Sequence, residues 1–166
     1  MESRTRLIDT ELKIVTLALI GFMAAVAIYP VLSTNVVIEP FSEIGILGAN
    51  GKLGDYPKSV TVGNKFNLFV YVGDHEGKSE YYRIQVKLCD EKDNITDTQP
   101  LTKDPIISWD LFLMDNQNIT FPVTLSLNES GVNKRLVFEL NIFEPSNNDF
   151  IFKSRAQLWL NVTKTS

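Results

Sequence analysis

The chain has one histidine and one cysteine among its 166 residues, and that scarcity bounds the nucleophilic and metal chemistry open to it. His75 stands in Asp74-His75-Glu76-Gly77, where an imidazole between carboxylates would suit a general base or a metal ligand. No second histidine and no cysteine pair completes a zinc set, and no glycine-framed elbow presents a serine to this imidazole. His75 is therefore read as part of a tight turn. Cys89 closes an alternating apolar segment and reads as a small buried residue rather than a reactive thiol; alone, it forms no disulfide within the chain. The run Asp90-Glu91-Lys92-Asp93-Asn94 offers oxygen ligands to a hard cation but lacks the spacing and closing glutamate of a calcium loop, so it reads as a solvated turn. Gly45, Gly48, Gly51 and Gly54 recur every third residue, a pattern of turns rather than a phosphate cradle. Paired carboxylates can hydrolyse glycosides, but nothing singles out a pair among 20 acidic residues. No catalytic, metal or cofactor-binding residue is assigned, and an acid-dependent hydrolase ranks last among the functional readings.

The segments that would position any such groups alternate with a period of two. Phe41, Ile44 and Ile46 lie in a first extended piece over 41–47, which ends in Gly48-Ala49-Asn50-Gly51-Lys52, whose Asn-Gly step favours a turn. Asp55-Tyr56-Pro57 turns again before Val60 and Val62. Phe66, Leu68, Val70 and Val72 then share one face. Beyond the Asp74–Gly77 turn, Tyr82, Ile84, Val86 and Leu88 oppose Arg83, Gln85 and Lys87. The pattern predicts a half-buried hairpin with one wet face. Further strands are expected over 107–114, 118–127, 134–143 and 155–162. Seven or eight strands and no convincing helix predict a mainly β, immunoglobulin-like β-sandwich, with a small barrel as the alternative. The long irregular stretch 90–105 is the place on such a sandwich where partners often bind.

Ahead of the strands, residues 14–32 form an uncharged apolar run. At about 1.5 Å per helical residue it spans a hydrocarbon core of roughly 30 Å. A cleaved signal is the rival, with Ala25-Val26-Ala27 as its small-x-small site, but the apolar run outlasts a signal core of about 7 to 15 residues. Arg4, Arg6 and Lys13 precede the run, and the next basic residue after it is Lys52, so the N-terminus is expected inside the cell and the C-terminal domain outside. The organisation that follows is a cytoplasmic N-terminus over 1–13, a transmembrane helix over 14–32, a short stalk over 33–40 and an extracellular β-sandwich over 41–166. Ala18, Gly21 and Ala25 fall on one helical face, the small-residue spacing by which spanning helices approach each other closely.

The net charge of -4 belongs wholly to the part beyond the apolar run and excludes nucleic acid, whose phosphates require clustered Lys and Arg. Four Asn-x-Ser/Thr sequons occur, at Asn94, Asn118, Asn128 and Asn161. Asn94 and Asn128 fall in predicted turns and are the better acceptors for N-linked glycans. Asn118 and Asn161 fall in strands, where a glycan needs an outward side chain.

The run Phe41-Ser42-Glu43-Ile44-Gly45-Ile46-Leu47-Gly48, followed by Gly51-Lys52, Asp55-Tyr56-Pro57, Val62-Gly63 and His75-Glu76-Gly77-Lys78 with Tyr82 after it, resembles the archaeal membrane-protein family known as domain of unknown function 1616. The likeness is close over 41–88 and looser to Leu158-Trp159-Leu160-Asn161-Val162. It implies an archaeal source, a β-rich domain outside the membrane and no assigned activity. Family members commonly carry several spanning helices before this domain where this sequence shows one, so roles tied to those helices are not carried over, and the family supplies no catalytic residues. The expectation is a non-enzymatic single-pass protein of the cell membrane, in contact with membrane lipid. It would be an accessory or structural subunit that binds other membrane-protein subunits or a cell-surface protein. A surface-layer-binding adhesion or stator-like module is the second reading.

Overall fold

The computed structural model describes residues 2–33 and 39–164, with side chains in the helical region from Leu12 to Tyr29. It divides into two compact units, 1–39 and 40–166. The first is a single helix, α1 (Glu2–Ser33), so helix begins well ahead of the apolar run. Within it Leu12–Tyr29 is long and apolar enough to cross a bilayer. Within it Thr16 donates Oγ1 to the carbonyl of Leu12 at 2.8 Å, which satisfies a polar group that lipid would leave unpaired. Ala18, Gly21 and Ala25 are all exposed on this helix. Most of the stalk expected over 33–40 lies outside the described residues.

The second unit is a β-sandwich of eight strands: β1 (Phe41–Leu47), β2 (Ser59–Thr61), β3 (Lys65–His75), β4 (Glu80–Cys89), β5 (Ile107–Leu113), β6 (Asn118–Ser126), β7 (Gly131–Glu144) and β8 (Asp149–Thr163). One sheet has the order β1-β3-β6, the other β2-β8-β7-β4-β5. All pairings are antiparallel except β2 with β8. Three strands facing a sheet in which β4 lies between β7 and β5 is the immunoglobulin-like arrangement, here with a short second strand running parallel to the last. The two inner faces meet in one core, in which Leu68, Val70, Val72, Tyr82, Ile84, Val86, Leu136, Phe138 and Leu140 are fully buried. Their period-two spacing in β3, β4 and β7 is the alternation visible in the sequence.

Three expectations are corrected. The segments on either side of Asp74–Gly77 are not a hairpin: β3 and β4 lie in different sheets, and residues 76–79 arch across the core. Alternation reveals which side chains face inward but not which strand pairs with which, because both sheets bury the same kind of face. Gly45 is not a turn residue but sits within β1 opposite Tyr71. The last strand begins at Asp149 rather than near Arg155, because a bulge opposite Leu140/Asn141 breaks the phase and puts Phe150 and Phe152 out of step with Leu158 and Leu160.

The remaining glycines divide by cause. Gly51, Gly63 and Gly77 adopt positive φ values of 69, 77 and 75°, which a side chain would strain. Gly48 is needed for space instead, since a Cβ there would lie 2.1 Å from the Gly54 carbonyl oxygen.

Candidate functional site

The histidine expected in a tight turn is instead the last residue of β3, paired with Phe41 of β1 across the edge of their sheet. His75 Nδ1 lies 3.2 Å from Asn116 Oδ1 and its Nε2 lies 3.4 Å from Glu43 Oε1, while Phe41 packs on the ring at 4.7 Å. Asn116 first, with Glu43 also contributing, raises the imidazole pKa above its ordinary value. Ser42 Oγ donates to Glu76 Oε1 at 2.5 Å and meets Tyr82 Oη at 3.0 Å, so this serine is committed elsewhere than to the imidazole. Asp74 is fully buried; its Oδ1 accepts the Glu76 N–H at 3.0 Å, while Oδ2 has no partner. Among the described residues, no three His, Cys, Asp or Glu side chains are grouped to hold a metal ion. Cys89 is buried, and desolvation raises its thiol pKa.

The outer face of the five-stranded sheet carries more unusual chemistry. The register of β5, β4, β7 and β8 lines up Phe112, Tyr81, Phe143 and Phe150 in one row across it. The Tyr81 row continues from strand to strand because Tyr81 pairs with Phe112 and Phe143 with Phe150. Tyr81 and Phe150 are 5.7 Å apart and Phe143 and Phe150 5.3 Å, in tilted and edge-on geometries that aromatic rings favour. In the next row, Arg83 forks onto Asp110 with two bonds of 2.8 Å and lays its guanidinium over Phe150 at 4.0 Å. Arg83 accordingly holds the Asp110 carboxyl pKa below its ordinary value. Phe112 is 61% exposed and Tyr81 41%, so this aromatic end is open to solvent. Sequence alternation marks these residues only as the face opposite the core; their assembly into one patch depends on the strand order and on the bulge in β8.

The middle of the same face is covered rather than wet. Lys87, expected on a solvated surface, is buried beneath the 90–105 loop. Its Nζ donates to Glu139 Oε2 at 2.8 Å and to the Leu101 carbonyl at 2.7 Å. Glu139 is also fully buried; its Oε1 accepts the Leu101 N–H at 2.8 Å and lies 3.5 Å from Arg155 Nη2. Arg155 donates Nη2 to the Gln99 carbonyl as well. Arg135 Nη2 donates to the carbonyls of Asp90, Glu91 and Asp93, and its guanidinium stacks 4.8 Å from the Trp159 ring. The acidic run is thus a turn clamped through its carbonyls, with Glu91, Lys92 and Asn94 exposed to solvent as expected. Lys134 reaches Asp90 at 2.7 Å and Lys103 reaches Asp93 at 2.5 Å.

The sequon asparagines are spread over the domain. Asn94, Asn118 and Asn128 are exposed, Asn94 in the clamped loop and Asn128 at the rim of a 390 Å³ hollow between Leu88 and Glu129. Asn161 is half-buried, and its Oδ1 accepts the Asn133 N–H at 2.9 Å.

Comparisons with known proteins bear on the whole domain rather than on one face. A family model described as domain of unknown function 1616 matches residues 37–163. No curated protein matches the chain. Among solved structures, a solution structure of the CARDB domain of a Pyrococcus furiosus protein is similar at 13% identity and TM-score 0.47, over 75% of this chain and 96% of that one. A β-glucosidase from Listeria innocua in complex with glucose is similar at 14% identity and TM-score 0.44, over 75% of this chain but 16% of the enzyme. A chain from the complex of zinc α2-glycoprotein and prolactin-inducible protein from human seminal plasma is similar at 11% identity and TM-score 0.44, over 79% and 99%. At these identities the likeness concerns strand arrangement alone.

Proposed function

The chain belongs to the family of domain of unknown function 1616, and from that premise we propose that it is a non-enzymatic, single-pass membrane protein. In this reading it is an accessory or structural subunit of a membrane or cell-envelope complex, and its β-sandwich acts by binding. One observation carries the proposal: Tyr81, Phe112, Phe143 and Phe150, with Arg83 among them, form an aromatic row on the outer face of the five-stranded sheet, exposed at Tyr81 and Phe112 and half-buried at Phe143 and Phe150. Solitary soluble domains cover or disperse such surface, and aromatic rings with arginine are the side chains enriched where proteins meet. The apolar helix Leu12–Tyr29 supplies the anchor. The bases before it would keep its N-terminus in the cytoplasm and the sandwich outside. There Asn94 and Asn128 would be the exposed acceptors for N-linked glycans, and Ala18, Gly21 and Ala25 would face a partner helix.

The test is extraction of the native protein in mild detergent, followed by identification of co-purifying chains, for the wild type and for the Tyr81→Ser/Phe112→Ser variant. A stoichiometric membrane subunit retained by the wild type and lost by the variant is the expected result. A surface-layer protein in its place would mark an adhesion or stator-like module. A free monomer in both cases would overturn the proposal.

A further inference from the structure

The residues two positions ahead of the four sequon asparagines are Lys92, Asn116, Ser126 and Trp159. That spacing has a physical meaning in an extended segment, where side chains two apart stand on one face about 6–7 Å from each other. Trp159 and Asn161 meet the condition. Both lie in β8, and the burial of Leu158, Leu160 and Val162 in the core leaves Gln157, Trp159 and Asn161 on the outer face of the five-stranded sheet. The indole there is 46% exposed.

The asparagine and the ring are both held in place. The register of β7 shifts between Gly131 and Lys134, and the extra residues bring the Asn133 N–H to 2.9 Å from Asn161 Oδ1. Asn161 Nδ2, the atom to which an N-linked sugar is joined, makes no hydrogen bond among the described residues and is not sealed from solvent. The half-burial of Asn161 thus constrains the amide without occupying its nitrogen. Arg135 lays its guanidinium 4.8 Å from the Trp159 ring centroid, and its Nη2 is itself fixed by the carbonyls of Asp90, Glu91 and Asp93. Beside the ring, a shallow hollow of about 840 Å³ lies between Trp159 and Gln157 of β8 and the neighbouring Pro57 and Lys58. The Asn161 N–H donates to the Lys58 carbonyl at 2.9 Å, so this segment runs alongside the asparagine as well.

We propose that Asn161 carries an N-linked glycan whose first sugar lies against Trp159, in the hollow bordered by Pro57, Lys58 and Gln157. The proposal rests on the reading that the sandwich lies outside the cell, and it adds a modification site to that reading. An aromatic face is apolar and electron-rich, so it suits the C–H face of a pyranose whose hydroxyls stay in water. A ring already stacked on a clamped arginine has little rotamer freedom left to lose on contact. In the transfer, Nδ2 attacks the anomeric carbon of a lipid-phosphate-linked oligosaccharide. The N–C bond forms, the C–O bond to phosphate breaks, one amide proton passes to a base of the transferase and the lipid phosphate leaves. Transfer precedes strand pairing, because the folded sequon lies between β2 and β7. Once the domain folds, the sugar covers exposed indole and bridges β8 to the 55–58 segment, which stabilises the sandwich.

The full chain is extracted in detergent from cells of its own source, its glycopeptides are mapped by mass spectrometry, and thermal melts are recorded on the fraction of each variant that carries its remaining glycans. Wild type and Trp159→Leu are compared, each with and without Thr163→Val, which destroys the sequon while keeping the shape of the side chain. Thr163→Val also removes the hydrogen bond to the Val60 carbonyl, but it does so in both backgrounds and cancels in the cycle. Sugar on the Asn161 peptide is expected, and Thr163→Val should lower the melting temperature by a few degrees beside Trp159 and by much less beside Leu. Trp159→Phe, which keeps an aromatic face, should restore most of the difference. Asn161 bare while Asn94 or Asn128 carries sugar would overturn this proposal alone, and all four sequons bare would overturn it together with the external placement. An equal effect of Thr163→Val in both backgrounds would show that the ring does not hold the sugar.

Discussion

Glu139 is the residue on which the covered face depends. Fully buried, it accepts from Lys87 and Leu101 and faces Arg155, so its charge is compensated on both oxygens. Glu139→Gln would leave two cations facing a neutral amide, and breaking a buried pair this way costs about 3–5 kcal/mol. Chemical denaturation of the full chain in detergent should report that loss. The double variant Lys87→Met/Glu139→Leu should lose less than Glu139→Gln alone, because it removes both charges together. The clamped turn adds a pH dependence. The Lys103 ammonium, then the Asp90 N–H, hold the Asp93 carboxyl pKa below the ordinary 3.8, and Lys134 does the same for Asp90. A carboxyl with a depressed folded pKa stabilises fully above its unfolded value and loses that contribution as the pH falls through the folded one. Stability should therefore decline as the pH is taken down from about 3.8, and Asp93→Asn should flatten part of that decline in a pH series of thermal melts. The residues behind both predictions were present in the sequence as scattered charges on an apparently wet face. Only the path of the 90–105 loop buries them.

At the scale of elements, glycine placement and strand phase carry different amounts of information. Gly51 and Gly77 were legible as turn residues because their neighbours are turn formers, and both adopt positive φ. Gly48 looked like one more turn position, but it is set by the approach of another backbone segment, the Gly54 carbonyl. Gly48→Ala should lower the melting temperature through a clash that backbone must absorb, at a cost of about 1–3 kcal/mol, whereas Gly45→Ala, whose added Cβ would make ordinary contact with Tyr71 at 3.7 Å, should be much milder. Melting curves of the two variants side by side check this. The strands 41–47 and 107–113 were read almost to the residue. The start of β8 was missed because its bulge reverses the inward phase. That reversal is also what places Phe150 beside Tyr81 and Phe143 on the outer face, so the same irregularity that hid the strand supplies one of the four rings of the aromatic row.

At the scale of the whole molecule, a helix long and apolar enough to span a bilayer and a two-sheet sandwich form separate compact units. If the helix is a retained anchor with its bases inside, an impermeant amine- or carboxyl-reactive reagent applied to intact cells should label the sandwich. The protein should also stay with the membranes after alkaline carbonate washing. Release into the wash would identify the helix as a cleaved signal instead, and labelling only after lysis would reverse the orientation. Sequence alone determined the apolar span, the β class, the inward-facing residues and the family, because each is a local pattern: a run, a period of two, a motif. Tertiary structure alone decided that β3 and β4 part into different sheets, that the acidic turn is clamped and that Lys87 and Glu139 are buried. It alone also brought the aromatic row together and stacked Arg135 on Trp159. Those features arise from pairing between strands distant in the chain and from the course of a long loop, and neither leaves a periodic trace, since the period of a strand records which side faces the core and nothing about its neighbours.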